Sequence, residues 1–152
     1  MEDLYLLCTP KDLPNVTDQV ITQQTWNVAL TSCPELNVHL IFSCVPYYDY
    51  IKTIVNPIIP LVSFYMDSSI SHLDIEHLNS WYFGCTVKML ISFFPYQLKV
   101  LSFHIWHSNE RVDVSICKCI THCYRLEQFE YRGPFDKLDT IEDYVLSLLL
   151  IL

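Results

Sequence analysis

The residues with the best claim to chemistry lie in Cys117-Lys118-Cys119 and His122-Cys123, where thiols and an imidazole fall within seven positions. These are zinc ligand types, and Cys119 and Cys123 are four apart on one helical face. Structural zinc usually draws its ligands in pairs from a turn, whereas this stretch reads as one helix with Ile116, Ile120 and Tyr124 toward the sheet. Buried thiols are therefore the expectation, with Cys33, Cys44 and Cys85 as remote ligands in the zinc alternative. Asp67, followed by Ser68-Ser69 at a strand end, has the chemistry of a metal ligand, but a capping or turn role is expected of it. His104 and His107 share a helix face and His72 and His77 do not; neither pair stands in an activating motif with a cysteine. No serine sits in a GxSxG elbow.

Phosphate chemistry would need a glycine-rich turn after the first strand, where backbone N–H groups can close on the anion. That turn reads Thr9-Pro10-Lys11-Asp12-Leu13-Pro14. It holds no glycine and two prolines without N–H groups, and the whole chain has only 2 glycines, Gly84 and Gly133. Neither GxxxxGK[ST] nor GxGxxG can be drawn, so no nucleotide and no other cofactor is expected, and Lys11 reads as a solvated loop charge. A catalytic site is not expected either.

The elements that must carry these residues alternate along the chain. Residues 3–8 (DLYLLC), 36–43 (LNVHLIFS), 61–66 (LVSFYM) and 85–94 (CTVKMLISFF) read as strands, and 111–116 as a strand nearer an edge. A helix capped by Asn15 or Thr17 is expected to reach about Leu30, with Val16, Val20, Ile21 and Val28 inward. Another should start near Ser71, align Ile75, Leu78, Trp81 and Tyr82, and stop at Gly84. Residues 96–106 lean helical through Leu98, Leu101 and Ile105, and 117–129 and a final helix capped by Thr140 follow. Residues 47–56 are read as an aromatic loop. No repeat or linker emerges, so the expectation is one α/β domain over residues 1–152, a mainly parallel sheet with helices on both faces, Rossmann-like or small-GTPase-like and without a phosphate loop.

Composition narrows the partners. Charged residues are 17% and hydrophobic ones 51%, with 8 Phe, 10 Tyr and 3 Trp. An average soluble domain carries about 25% charged residues, so surplus aromatic surface is expected to face a protein partner. The formal charge of −8 with scattered Lys and Arg argues against direct nucleic-acid binding. The longest apolar run, 148–152, is far short of a membrane span of roughly 20 residues. Met1-Glu2-Asp3 lacks the basic start of a secretory signal, so an intracellular protein with reduced cysteines is expected.

Several strings resemble the centromere protein M family, inner-kinetochore subunits whose fold looks like a small GTPase that has lost its nucleotide. They are Glu35-Leu36-Asn37-Val38-His39-Leu40, the unit over 61–90 with Asp67-Ser68-Ser69 and Trp81-Tyr82-Phe83-Gly84-Cys85-Thr86-Val87, and Val145-Leu146-Ser147-Leu148-Leu149. The chain departs from the family in the glycine-free Thr9-to-Pro14 turn, a shorter segment after Phe94 and a more aromatic 47–50. A GTPase would also carry N-K-x-D where Ser92-Phe93-Phe94-Pro95 stands, and D-x-x-G near Cys44-Val45-Pro46-Tyr47. The resemblance implies a non-catalytic structural subunit of the constitutive centromere-associated network in the nucleus. It would pack against centromere protein I, beside centromere proteins H and K, and support kinetochore assembly and chromosome segregation. The alternatives are another intracellular α/β adaptor or assembly chaperone, and an enzyme of unrecognised type. From composition, Tyr47, Tyr48, Tyr50, Ile51, Ile54, Phe93, Phe94 and Tyr96 are the candidate partner-binding anchors, or else they cap the domain's own core.

Overall fold

A computed structural model describes residues 2–9, 20–43, 48–67, 80–105 and 112–133. Among the described residues strand and helix alternate: β1 (Glu2–Cys8), α1 (Gln23–Ser32), β2 (Leu36–Phe42), α2 (Tyr48–Ile54), β3 (Leu61–Asp67), α3 (Ser80–Phe93), β4 (Val100–His104), α4 (Asp113–His122) and β5 (Gln128–Arg132). The expected parallel α/β architecture is present, with every strand pair parallel. The strands lie in the sheet in their chain order, β1-β2-β3-β4-β5.

Strand periodicity decides which side chains meet. The rows Leu6, Leu40, Phe64, Leu101, Phe129 and Cys8, Phe42, Met66, Phe103, Tyr131 run across all five strands on one face. In the three central strands these residues are fully buried. Trp26 of α1, Ile51 of α2, Val87 and Leu90 of α3, and Ile116 and Cys119 of α4 complete the same core. Helices α2 and α3 pack together, as do α3 and α4. Right-handed crossovers that always step the same way across a sheet place their helices on the same face, and the described helices form such a layer.

The joins recur. Cys33, Val55, Phe94 and Cys123 each donate a backbone N–H to the carbonyl four residues back, closing α1 to α4. The N–H of Leu36, Gln97 and Leu126 then turns onto the carbonyl of Cys33, Phe94 and Cys123. Cys33-Pro34-Glu35-Leu36 and Cys123-Tyr124-Arg125-Leu126 are the matching strings. Among the described residues, α1, α3 and α4 thus pass to their next strands through the same kind of turn.

Several local expectations are corrected. Residues 85–93 are helix, the body of α3, because the run is apolar on most sides: Val87, Met89 and Leu90, with Phe94 just after the helix, are all buried. Gly84 lies inside α3 and does not end it. Residues 96–106 contain strand β4, whose Leu101, Ser102 and Phe103 are buried on both faces of the sheet. Residues 113–116 are the start of α4, not a strand; Ile116 and Cys119 line up with the flanking Val112 and Cys123 as a buried stripe, and 117–129 split between α4 and β5. Residues 48–54 are helix, not loop. Helix α1 begins at the cap Thr22, with Trp26 inward and Val28 exposed. The helix expected from Ser71 up to residue 79, the one capped by Thr140, and the alternative caps Asn15 and Thr17 lie outside the described residues. No helix among the described residues is long and apolar enough to cross a membrane.

Candidate functional site

The face of the sheet away from the described helix layer mixes polar side chains with Leu7, Ile41 and Val100, where the core face carries Leu and Phe. Its rows are Tyr5, His39, Ser63, Val100, Gln128 and Leu7, Ile41, Tyr65, Ser102, Glu130, with Asp67, His104 and Arg132 beyond them. Neighbouring strands are about 4.8 Å apart, so short polar side chains in one row can bond across the ladder.

Two clusters form in this way. On β1 to β3, His39 Nδ1 lies 2.6 Å from Ser63 Oγ, and its Nε2 lies 3.4 Å from Asp3 Oδ1. Asn37 Nδ2 donates to the same Asp3 oxygen at 3.0 Å, and Tyr5 stacks on the imidazole. The Asn37 amide, and after it His39, holds the Asp3 carboxyl below the usual carboxylate range. On β3 to β5, His104 Nδ1 is 3.3 Å from Asp67 Oδ2, and its Nε2 is 3.3 Å from Ser102 Oγ and 3.6 Å from Glu130 Oε1. Arg132 donates through Nε and Nη2 to Glu130 Oε1, each at 2.7 Å, and this holds Glu130 below its usual range.

Asp67, His104 and Ser102 repeat the acid–imidazole–hydroxyl order of a nucleophilic triad. The surroundings do not fit that use. Ser102 is only 3% exposed, and its hydroxyl also contacts Glu130. Strands β3 and β4 are paired on both sides, so their backbone N–H groups are committed to the ladder and leave no pair to receive an oxyanion. What the arrangement supplies is a rigid surface on which carboxylates and imidazoles are held by their neighbours. Asp3, His39 and Ser63 come from three strands, so no string in the sequence signals them.

The anchors nominated by composition do not converge. Tyr50, Ile51 and Phe94 are buried at 7%, 1% and 0% exposure, which makes them core rather than surface. Tyr48 and Ile54 are half-buried against that core. Phe93 and Tyr96 are exposed, and Tyr96 stacks on Tyr124, a residue composition did not single out, with ring centroids 5.0 Å apart. Tyr47 lies outside the described residues. Tyr48 opens α2 beyond the carboxyl end of β2, whereas Phe93 and Tyr96 lie before the amino end of β4, at the opposite rim of the sheet.

The thiols and imidazole of the zinc alternative are also separated. Cys117, Cys119 and Cys123 are buried, while the exposed His122 bonds to Thr121 and the Lys118 carbonyl. Burial pushes the Cys123 thiol up to about 11 and the Cys119 thiol further still. Among the described residues no group of three or more His, Cys, Asp or Glu is placed to hold a metal ion. Asp67 lies 3.3 Å from His104, and the Ser68-Ser69 stretch expected to turn after it lies outside the described residues. Of the nucleotide elements, residues 10–14 of the first turn, with Lys11, lie outside the described residues, as do His72, His77 and His107. The sheet itself runs in chain order, so its described strands contain no reversal of the kind at which open α/β sheets bind their ligands. Comparison with models of known protein families, with curated proteins and with solved structures brings no match to this chain.

Proposed function

We propose that the protein is a non-catalytic binding module that receives a basic segment of a partner protein on the polar face of its sheet. The observation that carries this reading is the pair of clusters at Asp3–His39–Ser63 and Asp67–His104–Glu130. Fixed carboxylates on a flat face need little reordering when a ligand arrives, so less of the contact energy is lost to immobilisation. Three carboxylates against one arginine on this face, within a chain of net charge −8, favour Lys and Arg on the partner. Stacked βα units present such faces as extended binding surfaces.

The centromere protein M strings nominate the partner to try first. Under that proposal the chain packs against centromere protein I, beside centromere proteins H and K, and works at the kinetochore in the nucleus. Mixing the full chain with a centromere protein I fragment and following co-elution tests this assignment. An affinity capture from cells tests the broader adaptor reading at the same time. Asp67→Asn with Glu130→Gln is expected to weaken capture about tenfold and to reduce its salt dependence, since it removes two of the carboxylates. Capture unchanged by that double substitution, with the fold intact by circular dichroism, would remove the sheet face from the interaction.

A further inference from the structure

We infer that β1 is an interface between two copies of this chain, pairing antiparallel with its twin across a two-fold axis at Tyr5. The inference starts from hydrogen bonding and does not depend on the proposed binding function. Glu2 N–H bonds to the Glu35 carbonyl, and the Cys8 carbonyl accepts from Ser43 N–H. In a regular strand alternate residues direct both backbone groups to the same side. Glu2, Leu4, Leu6 and Cys8 therefore serve β2, and Asp3, Tyr5 and Leu7 direct theirs away from the sheet. No described strand pairs with that outer edge.

Edges of this kind are usually blunted by lysine, proline, a bulge or short length. Strand β1 has seven residues and no Lys, Pro or Gly, and it holds an unbroken register with β2 from Glu2 to Cys8. Tyr5 and Leu7 are 62% and 61% exposed, and on the other face Leu4, Leu6 and Cys8 are only half-buried, although their counterparts on β2 and β3 are fully covered. Among the described residues the strand is thus unpaired on its outer edge and incompletely covered on both faces.

A second copy fits in one register. With Tyr5 opposite Tyr5 of the partner subunit, Asp3 opposes Leu7 and Leu4 opposes Leu6. The outward residues Asp3, Tyr5 and Leu7 then form the hydrogen-bonded pairs, so every outward N–H and C=O across this stretch finds a partner. Leu4 and Leu6 of the two chains become cross-strand neighbours on the core face. Charge selects the direction. A parallel pairing in register would set Glu2 and Asp3 against their own copies, whereas the antiparallel one sends the acidic ends to opposite ends of the seam. The product is one continuous sheet with both polar faces on the same side.

The test is the mass of the full chain in solution by light scattering or sedimentation across the micromolar range. The expected value is 35.8 kDa, twice the 17.9 kDa of one chain. Tyr5→Pro removes an outward N–H while leaving the bonds to β2 intact, and it should give a folded monomer. Tyr5→Cys should cross-link to itself under mild oxidation, since directly opposed residues of a hydrogen-bonded pair lie about 5.5 Å apart, within disulfide reach. Leu7→Cys, opposite Asp3, should not cross-link. A wild-type monomer at the highest concentration, a dimer that survives Tyr5→Pro, or equal cross-linking of both cysteine variants would each overturn the inference.

Discussion

The ring of Tyr5 lies flat on the imidazole of His39, with centroids 4.4 Å apart and planes 12° from parallel. The edge strand β1 is thereby tied to β2 by an aromatic stack as well as by its ladder, and His39 is held so that its two nitrogens face Ser63 and Asp3. The pair shows how this sheet builds a polar face: one ring positions another, and the second positions a carboxylate.

Ser63 is the buried end of that chain. Its hydroxyl has no exposure and one side-chain partner, so Ser63→Ala is expected to cost about 1 kcal/mol, the usual net worth of a hydrogen bond inside a protein. Urea denaturation measures it. Stability equal to wild type would mean that the 2.6 Å contact contributes nothing.

The two glycines should respond in opposite ways. Gly84 sits inside α3, and a Cβ there would meet Ser115 Oγ of α4 at 3.6 Å, an ordinary contact. Gly84→Ala is therefore expected to stabilise the helix by about 0.5–1 kcal/mol. At Gly133 a Cβ would collide with the Ile105 carbonyl and with the Tyr131 ring. Gly133→Ala is expected to lower the melting temperature where Gly84→Ala raises it.

Helix α1 depends on its cap. Thr22 Oγ1 accepts the Thr25 N–H at 3.2 Å, and Thr22→Ala is expected to cost about 1 kcal/mol. Because Thr22→Ser keeps the acceptor, thermal denaturation should rank wild type and Ser close together and Ala below both.

Stability should fall at both ends of the pH scale. Asp3 and Glu130 have folded pKa values below their unfolded ones, so their contribution is present above the unfolded values and disappears as pH falls through the lowered ones. Glu130→Gln should flatten that acid limb in a series of urea melts. Cys123 has the reverse sign. With its pKa raised from 9.0 to about 11, the unfolded thiol ionises first, so stability is intact below 9 and declines between 9 and about 11. Cys123→Ala should lessen the alkaline decline, and a disulfide reagent at neutral pH should reach Cys117, Cys119 and Cys123 only on unfolding.

How much was legible depended on where the signal resides. Strands β1, β2 and β3 are legible because their short apolar runs stop in sequence at Pro10, Pro46 or Asp67-Ser68-Ser69, and local pattern suffices there. Between residues 85 and 129 the described elements differ from those the local pattern suggests. The run Cys85-Thr86-Val87-Lys88-Met89-Leu90 is as apolar as a strand, and only its packing between the sheet and α4 makes it helix. Conversely Leu98 and Leu101 have helical spacing, yet that stretch is paired between β3 and β5. The aromatic anchors divide between core and surface for the same reason, since composition cannot tell the buried Phe94 from the exposed Phe93 beside it.

By itself, then, the sequence determined an α/β chain with strands alternating with helices, poor in glycine and acidic, because turn residues, hydrophobic runs and charge act locally. Only the tertiary structure decided that the strands lie in chain order and that Asp3, His39 and Ser63 meet on one face. Register between parallel strands is set by long crossovers and by the fit of the helix layer. No short stretch of residues contains either.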